Sequence, residues 1–253
     1  MKNILQRIYE DRICELIFND PERRNIFSEA MFDAFEKHLD HIDTHSPSVI
    51  RIRGEGSSFS AGLDLASCVG NENLLASLVE RLGNICGRLR RSHAVVVAEV
   101  HGPALAGGSA ITSACDIAYA SPEAKFGYPV HQIGLSPAVS LPTLMESVGF
   151  GAARSLALSG EIINATDALT IGLVHRVLPD QEHLSLSIKE LCQKLCSHPP
   201  GILKETKASF DSLRSTPDPD IMSRATQGTI NSVQDPESAR MLAEFWAART
   251  QGS

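Results

Sequence analysis

Apolar positions in this chain form two kinds of pattern. Ile13–Phe18 (ICELIF), Val49–Arg53 (VIRIR) and Ala94–Val100 (AVVVAEV) are compact runs rich in β-branched residues, of the length of buried strands. The first ends in Asn19-Asp20-Pro21, a turn. Between the runs, Met31, Phe32, Phe35, Leu39 and Ile42 recur at helical spacing, which predicts an amphipathic helix from an N-cap at Ser28 through His45. Leu74–Arg91 predicts a second such helix, and Asp116–Ala120 and Lys125–Tyr128 read as short strands.

Further along, Ser136-Pro137 starts a helix, which Pro142 should bend after its first turn and Gly149 should end. Asn164-Ala-Thr-Asp167 resembles a capping box and opens a helix that stops at Gly172, followed by a strand over Leu173–Leu178. Gln181–Cys196, Pro200–Leu213, Ile221–Ser232 and Pro236–Arg249 complete the chain as helices, with Arg214–Asp220 (RSTPDPD) the only linker-like break. Strands alternating with helices through Gly-rich turns indicate an α/β layered fold.

Two of those turns can carry chemistry. His101-Gly-Pro-Ala-Leu-Ala-Gly107-Gly108-Ser109 follows the third apolar run, and Gly54–Leu65 (GEGSSFSAGLDL) follows the second. Glycines let a ligand approach the main chain, and the first amides of a helix have no partner within it. Two such turns brought together would stabilise negative charge on one carbonyl oxygen. The same glycines equally serve tight helix–sheet packing, and spacing alone does not separate the two roles.

SSFSAGLDL and HGPALAGGSAITSACDIAYAS, followed in order by AKFGYPVHQIGLSP, SLPTLMESVGF and ALSGEIINATDALTIGLVHRVLP, resemble the enoyl-CoA hydratase/isomerase (crotonase) family. That resemblance implies an α/β spiral of ββα units over residues 1–196. It also implies a C-terminal helical region over 197–253 that completes a coenzyme A site and assembles a homotrimer or a dimer of trimers. The substrate implied is an acyl-CoA thioester, with no cofactor beyond the CoA it carries. The oxyanion amides map to Leu63 and Gly107, within a binding segment of Ala61, Leu63, Asp64, Leu65, Gly107 and Gly108. Arg23 and Arg24 fall where the family contacts CoA, as do Phe245 and Arg249, although Ala248 stands where a lysine is expected.

The departures from the pattern bear most on the reaction. Hydratases of the family use two glutamates, and those places hold Ala110 and Val130; the aspartate of dienoyl isomerases and dehalogenases is replaced by Ala138. Positioned acid–base catalysis is worth about 10²–10⁴-fold, so efficient hydration is not expected. Isomerase, lyase or decarboxylase chemistry through an enolate remains, with a non-catalytic acyl-CoA-binding or interaction protein on the same fold as the alternative. His131, next to Val130, is the candidate acid/base, although neighbours in an extended segment point opposite ways. Ser109, Tyr128, Gln132 and Ser136 are further polar candidates, and Asp64 is more simply a helix cap.

Composition narrows the partners. The 253 residues carry a formal net charge of −7, which disfavours nucleic acid, and Met31–His45 has one lysine against four acids. Six scattered cysteines without a CxxC pair read as reduced thiols. His38, His41 and His45 share a helix face but read as exposed polar positions rather than metal ligands. The start lacks a basic segment leading into a long apolar run, and nothing spans a membrane, so a cytoplasmic location is expected. GxSxG, GxxxxGK[ST] and GxGxxG motifs are absent.

Overall fold

The computed structural model describes residues 5–10, 12–212 and 220–250, without the side chains of 5–10, 200, 211–212 and 249–250. A six-stranded sheet runs in the order β1 (Leu5–Glu10), β2 (Ile13–Phe18), β3 (Val49–Gly54), β4 (Val95–Val100), β6 (Ile117–Ala120), β9 (Arg176–Val177). Only β1–β2 is antiparallel. A smaller sheet joins β5 (Ala104–Leu105), β7 (Lys125–Gly127) and β8 (Ile162–Asn164).

Strands β3 and β4 are continuous apolar runs because helices cover both faces of the sheet. Ile50, Ile52, Val96 and Ala98 pack on one face in the main core with α1 (Glu29–His45), α2 (Glu72–Arg91) and α3 (Gly107–Ala114). Val49, Val95 and Val97 point to the other face, against Leu184, Ile188 and Cys192 of α6 (Gln181–Ser197). On that second face Arg51 is buried between Glu99 and Glu15, with Nε donating to Glu99 at 2.8 Å and Nη2 to Ser185 at 3.1 Å.

The stripe expected on α1 is the one buried, and Ser28 caps it by accepting from the Met31 amide at 3.3 Å. Asn164 caps α5 (Ala165–Thr170) by accepting from the Asp167 amide at 2.9 Å. Around Ser136 the expectation fails. A 3₁₀ turn, Ala138–Ser140, precedes α4 (Leu141–Ser159), so Pro142 sits in the helix's first turn, where proline needs no amide partner and forces no bend. The break comes instead at Gly149 (φ 76°, ψ 162°), and the helix resumes beyond it to Ser159.

The C-terminal helices α7 (Pro200–Ser212), α8 (Ile221–Val233) and α9 (Pro236–Thr250) fold back on the body. Ile230, Val233 and Leu242 belong to the main core, and Lys207 reaches the Ala94 carbonyl and the Asp116 carboxylate at 2.9 and 2.6 Å. The six cysteines are free thiols, five of them buried. Among the described residues, no helix is long and apolar enough to cross a membrane.

Candidate active site

The two Gly-rich turns meet. Ser60 and Ala104 form a parallel bridge in which the Leu105 amide donates to the Ser60 carbonyl at 2.9 Å and the Ser60 amide to the Pro103 carbonyl at 3.2 Å. The contact needs glycines. A Cβ on Gly62 would lie 3.0 Å from the Gly107 nitrogen, one on Gly107 3.2 Å from the Gly62 Cα, and one on Gly108 2.6 Å from the Ser60 carbonyl oxygen.

Backbone hydrogen bonds around Leu63 leave its amide aside. Phe27 donates to the Gly62 carbonyl at 2.7 Å and accepts from the Asp64 amide at 3.1 Å, which turns the Leu63 N–H away from that pairing. Gly107 is the first residue of α3, so its N–H has no acceptor within the helix. Among the described residues neither amide donates a backbone hydrogen bond. Ala106 between them holds φ 49°, ψ −107°, and its own amide donates to the Gly127 carbonyl at 2.8 Å. Such a backbone costs an alanine about 1–3 kcal/mol and persists only where neighbours enforce it.

A narrow cavity of about 50 Å³ lies against both turns. Ala61, Leu63, Leu65, Ala106 and Gly107 form one wall; Val79 and Leu82 of α2 and the segment Leu135–Ser140 supply most of the rest. Thr229 of α8 closes it, and its hydroxyl both donates to the Ser136 carbonyl and accepts from the Val139 amide, each at 2.9 Å. Among the described residues Tyr128 is the one ionisable side chain on the lining. Larger hollows exist, one of about 310 Å³ beside the end of α2, but there Arg88 is paired with Asp40 and Asp43.

Of the residues expected at the site, Ala61, Leu63, Leu65, Gly107 and Val130 line this cavity. Gly108 does not line it, and Asp64 accepts from the Ser67 hydroxyl at 2.9 Å; it is not the helix cap expected, because residues 65–70 are a turn and α2 is capped by Asn71, which accepts from the Leu74 amide at 3.0 Å. His131 is not brought to the cavity. Residues Pro129–Ile133 form a 3₁₀ turn, in which successive side chains diverge, so Val130 faces the cavity while His131 is exposed. A Cβ on Gly160 would sit 3.3 Å from its Nδ1. Ser109 is not a substrate contact either: its hydroxyl donates to the Ala104 carbonyl at 2.6 Å and accepts from the Gly127 amide at 2.9 Å.

Arg23 and Arg24 sit on the exposed loop beside the first turn and differ in their pairing. Arg23 is held by Asp20 at 2.7 Å and Asp64 at 3.4 Å, whereas Arg24 pairs with no carboxylate among the described residues. Phe245 packs edge-on against Trp246 in α9, away from the cavity lining; the side chain of Arg249 lies outside the described residues. Ala110 is fully buried on α3, and Ala138 faces α8 so closely that a Cβ on Gly228 would lie 3.1 Å from its own. The three positions from which carboxylates are missing are therefore packed or apolar.

One organising residue escapes the sequence reading. Asn25, fully buried at φ 54°, accepts from the Asp20 amide at 2.8 Å and donates to the Glu55 and Ser58 carbonyls at 2.9 and 2.8 Å; its carbonyl accepts from Ser60. It ties the arginine loop to the first turn. An asparagine next to two arginines gives no periodic signal that would reveal this.

The model of the family described as enoyl-CoA hydratase/isomerase matches residues 9–245. The chain is 32% identical to the 2,3-dehydroadipyl-CoA hydratase of Escherichia coli K12, over 79% of each chain. It is 30% identical to the short-chain-enoyl-CoA hydratase of Clostridium acetobutylicum, over 80% of this chain and 78% of that one. A crystal structure of an enoyl-CoA hydratase from Mycobacterium smegmatis superposes with a TM-score of 0.80 at 26% identity, covering 98% of this chain and 97% of that one.

Proposed function

Because the chain belongs to the enoyl-CoA hydratase/isomerase family and is an acyl-CoA-processing enzyme of it, we propose that it binds a thioester carbonyl between the Leu63 and Gly107 amides and works through an enolate. Isomerase, lyase or decarboxylase chemistry ranks ahead of hydration. The observation that carries this reading is the cavity itself: two unpaired amides beside a lining that holds no carboxylate. Hydration needs one group to activate water and another to protonate the α-carbon, and Ala110, Val130 and Ala138 supply neither. An amide pair fixed before the substrate arrives still stabilises the charge that develops on the thioester oxygen, each donor being worth about 10²–10³-fold.

Arg24 is the better placed of the two arginines to meet a CoA phosphate, since Arg23 is already shared between two carboxylates. The test is incubation in D₂O with enoyl-, 3-hydroxyacyl- and malonyl-type CoA thioesters, followed by mass spectrometry of the acyl products. Deuterium uptake or loss of carbon dioxide, abolished in Gly107→Pro, is the expected result. Hydration of crotonyl-CoA at rates typical of enzymes would overturn the ranking. The missing carboxylates also favour a second reading, a non-catalytic acyl-CoA binder, which predicts tight binding with no turnover of any thioester.

A further inference from the structure

Leu135 lines two hollows. One is the cavity beside the Leu63 and Gly107 amides; the other, of about 170 Å³, is not used by the site described above. Three further walls of the cavity continue past Leu135 into the second hollow. On α2, Val79 and Leu82 line the first and Leu75 the second, at the spacing of one helix face. On α8, Thr229 lines the first and Val233, four residues on, the second. Leu65 and Cys68 divide in the same way within one turn, which the Cys68 amide closes by donating to the Leu65 carbonyl at 3.1 Å. Beyond them, Ala239 and Leu242 of α9 supply the far side. Two hollows built on the same elements and sharing one side chain are successive parts of one channel.

We propose that the second hollow takes the distal carbons of an unbranched, uncharged acyl chain whose thioester carbonyl lies between the two amides, and that Leu135 is the side chain displaced as the acyl chain passes. This rests on the acyl-CoA reading above and names the substrate class, a medium-chain acyl-CoA. A cavity of about 50 Å³ holds only the first few carbons. The rest need somewhere apolar to go, and the walls lead there.

The backbone at Leu135 is held from both sides, which leaves its side chain as the part that moves. Its amide donates to the Val130 carbonyl at 3.0 Å. The preceding Gly134 accepts from the Ser238 hydroxyl of α9, and a Cβ on Gly134 would lie 2.6 Å from the Ser238 Cα. A leucine changes rotamer without disturbing those bonds. The lining then selects the chain. Leu75, Val233 and Leu242 belong to the main core, so this surface favours methylenes over water. Among the described residues its one charged side chain is Glu72, in the first turn of α2, which repels a carboxylate at the chain end. Val69, also on the lining, is 41% exposed and is apolar surface that a long chain would cover.

Calorimetry with saturated acyl-CoAs tests the channel without turnover. Each methylene that leaves water is worth about fourfold in affinity, so octanoyl-CoA should bind the wild type about 10²-fold more tightly than butyryl-CoA. Suberyl-CoA, of the same length but ending in a carboxylate, should lose most of that gain; if it loses none, the chain end is not selected for charge. Ala239→Phe fills the hollow and should bring the octanoyl-to-butyryl ratio toward one, whereas Leu135→Ala removes the partition and should raise it several-fold. A wild-type ratio near one, or a ratio that Ala239→Phe leaves unchanged, overturns the channel while butyryl-CoA binding keeps the acyl-CoA reading intact. A ratio unchanged in Leu135→Ala overturns the part given to Leu135. Should the variants not fold, an octanoyl-CoA with a photoreactive diazirine near its last carbon reads the wild type: crosslinks should fall on Leu75, Val233 or residues 238–243, and crosslinks elsewhere overturn the channel. A wild type that binds no thioester overturns both readings.

Discussion

Ala106 stands between the two amides in a backbone conformation that few L-residues adopt, and its strain can be measured. Ala106→Gly removes the Cβ that makes φ 49° costly and should stabilise the protein by about 1 kcal/mol, a rise in Tm of about 2–4 °C for a chain of this size. An unchanged or lower Tm in a thermal melt would mean that the neighbouring bonds, not the strain, dominate. The converse substitution is Gly108→Ala, whose Cβ would press to 2.6 Å against the Ser60 carbonyl. It should lower Tm and reduce turnover together, because the same displacement separates the two turns. His101 gives the pH signature of this region. Burial holds its imidazole below the usual histidine value, partly offset by the 2.9 Å contact of Nε2 with the Gly56 carbonyl. The unfolded chain therefore takes up a proton that the folded chain resists, and the stability from this group, full above the unfolded value, is lost as pH falls through the folded one. Between about pH 7 and pH 5 the wild-type Tm should fall more steeply than that of His101→Asn. Parallel curves for the two proteins would refute it.

At the scale of elements, helix α8 is coupled to the cavity wall by two hydroxyls, that of Thr229 and that of Ser232, which accepts from the Ser136 amide at 3.0 Å. Thr229→Val removes both Thr229 bonds to the Leu135–Ser140 segment and leaves the Ser136 carbonyl and Val139 amide without that partner, at about 1–3 kcal/mol. The expected result is a Tm loss with a larger fall in turnover than in the stability of the core, read from kinetics beside a thermal melt; turnover unchanged would show that α8 does not shape the cavity. How far the sequence reveals such elements depends on what their residues must satisfy. Strands β2, β3 and β4 and the stripe on α1 are legible because burial on a regular element imposes a period. The meeting of the two glycine turns was not deducible from spacing, since it depends on Ser60 pairing with Ala104 across the fold. His131 shows the same limit. The sequence names it the candidate acid/base, with strand alternation counting against it, but the segment is a 3₁₀ turn between Tyr128 and Gly134, so the direction of its side chain follows from tertiary packing.

At the scale of the whole molecule, the main core draws on described residues from both sides of residue 196. Residues 1–196 carry the sheet and both glycine turns, yet the hydrophobic core that encloses them continues into Ile230, Val233 and Leu242, and Thr229 stands on the cavity wall. The linker-like break before α8 lies, as far as residue 219, outside the described residues. An independent domain needs its own buried apolar interior, and α8 and α9 contribute theirs to the body. A chain ending at residue 196 would bare α2 and the segment Leu135–Ser140, both of which pack against α8. Each buried aliphatic side chain so exposed forfeits about 1.5–3 kcal/mol, which across several residues exceeds the margin by which a typical fold is stable. The expected outcome is that the full chain melts in a single transition, whereas the truncated chain binds a hydrophobic dye and loses acyl-CoA binding as well as turnover. If the truncated chain instead melted cooperatively at the temperature of the full chain, the C-terminal helices would be an appendage, and the placement of Thr229 in the site would lose its meaning.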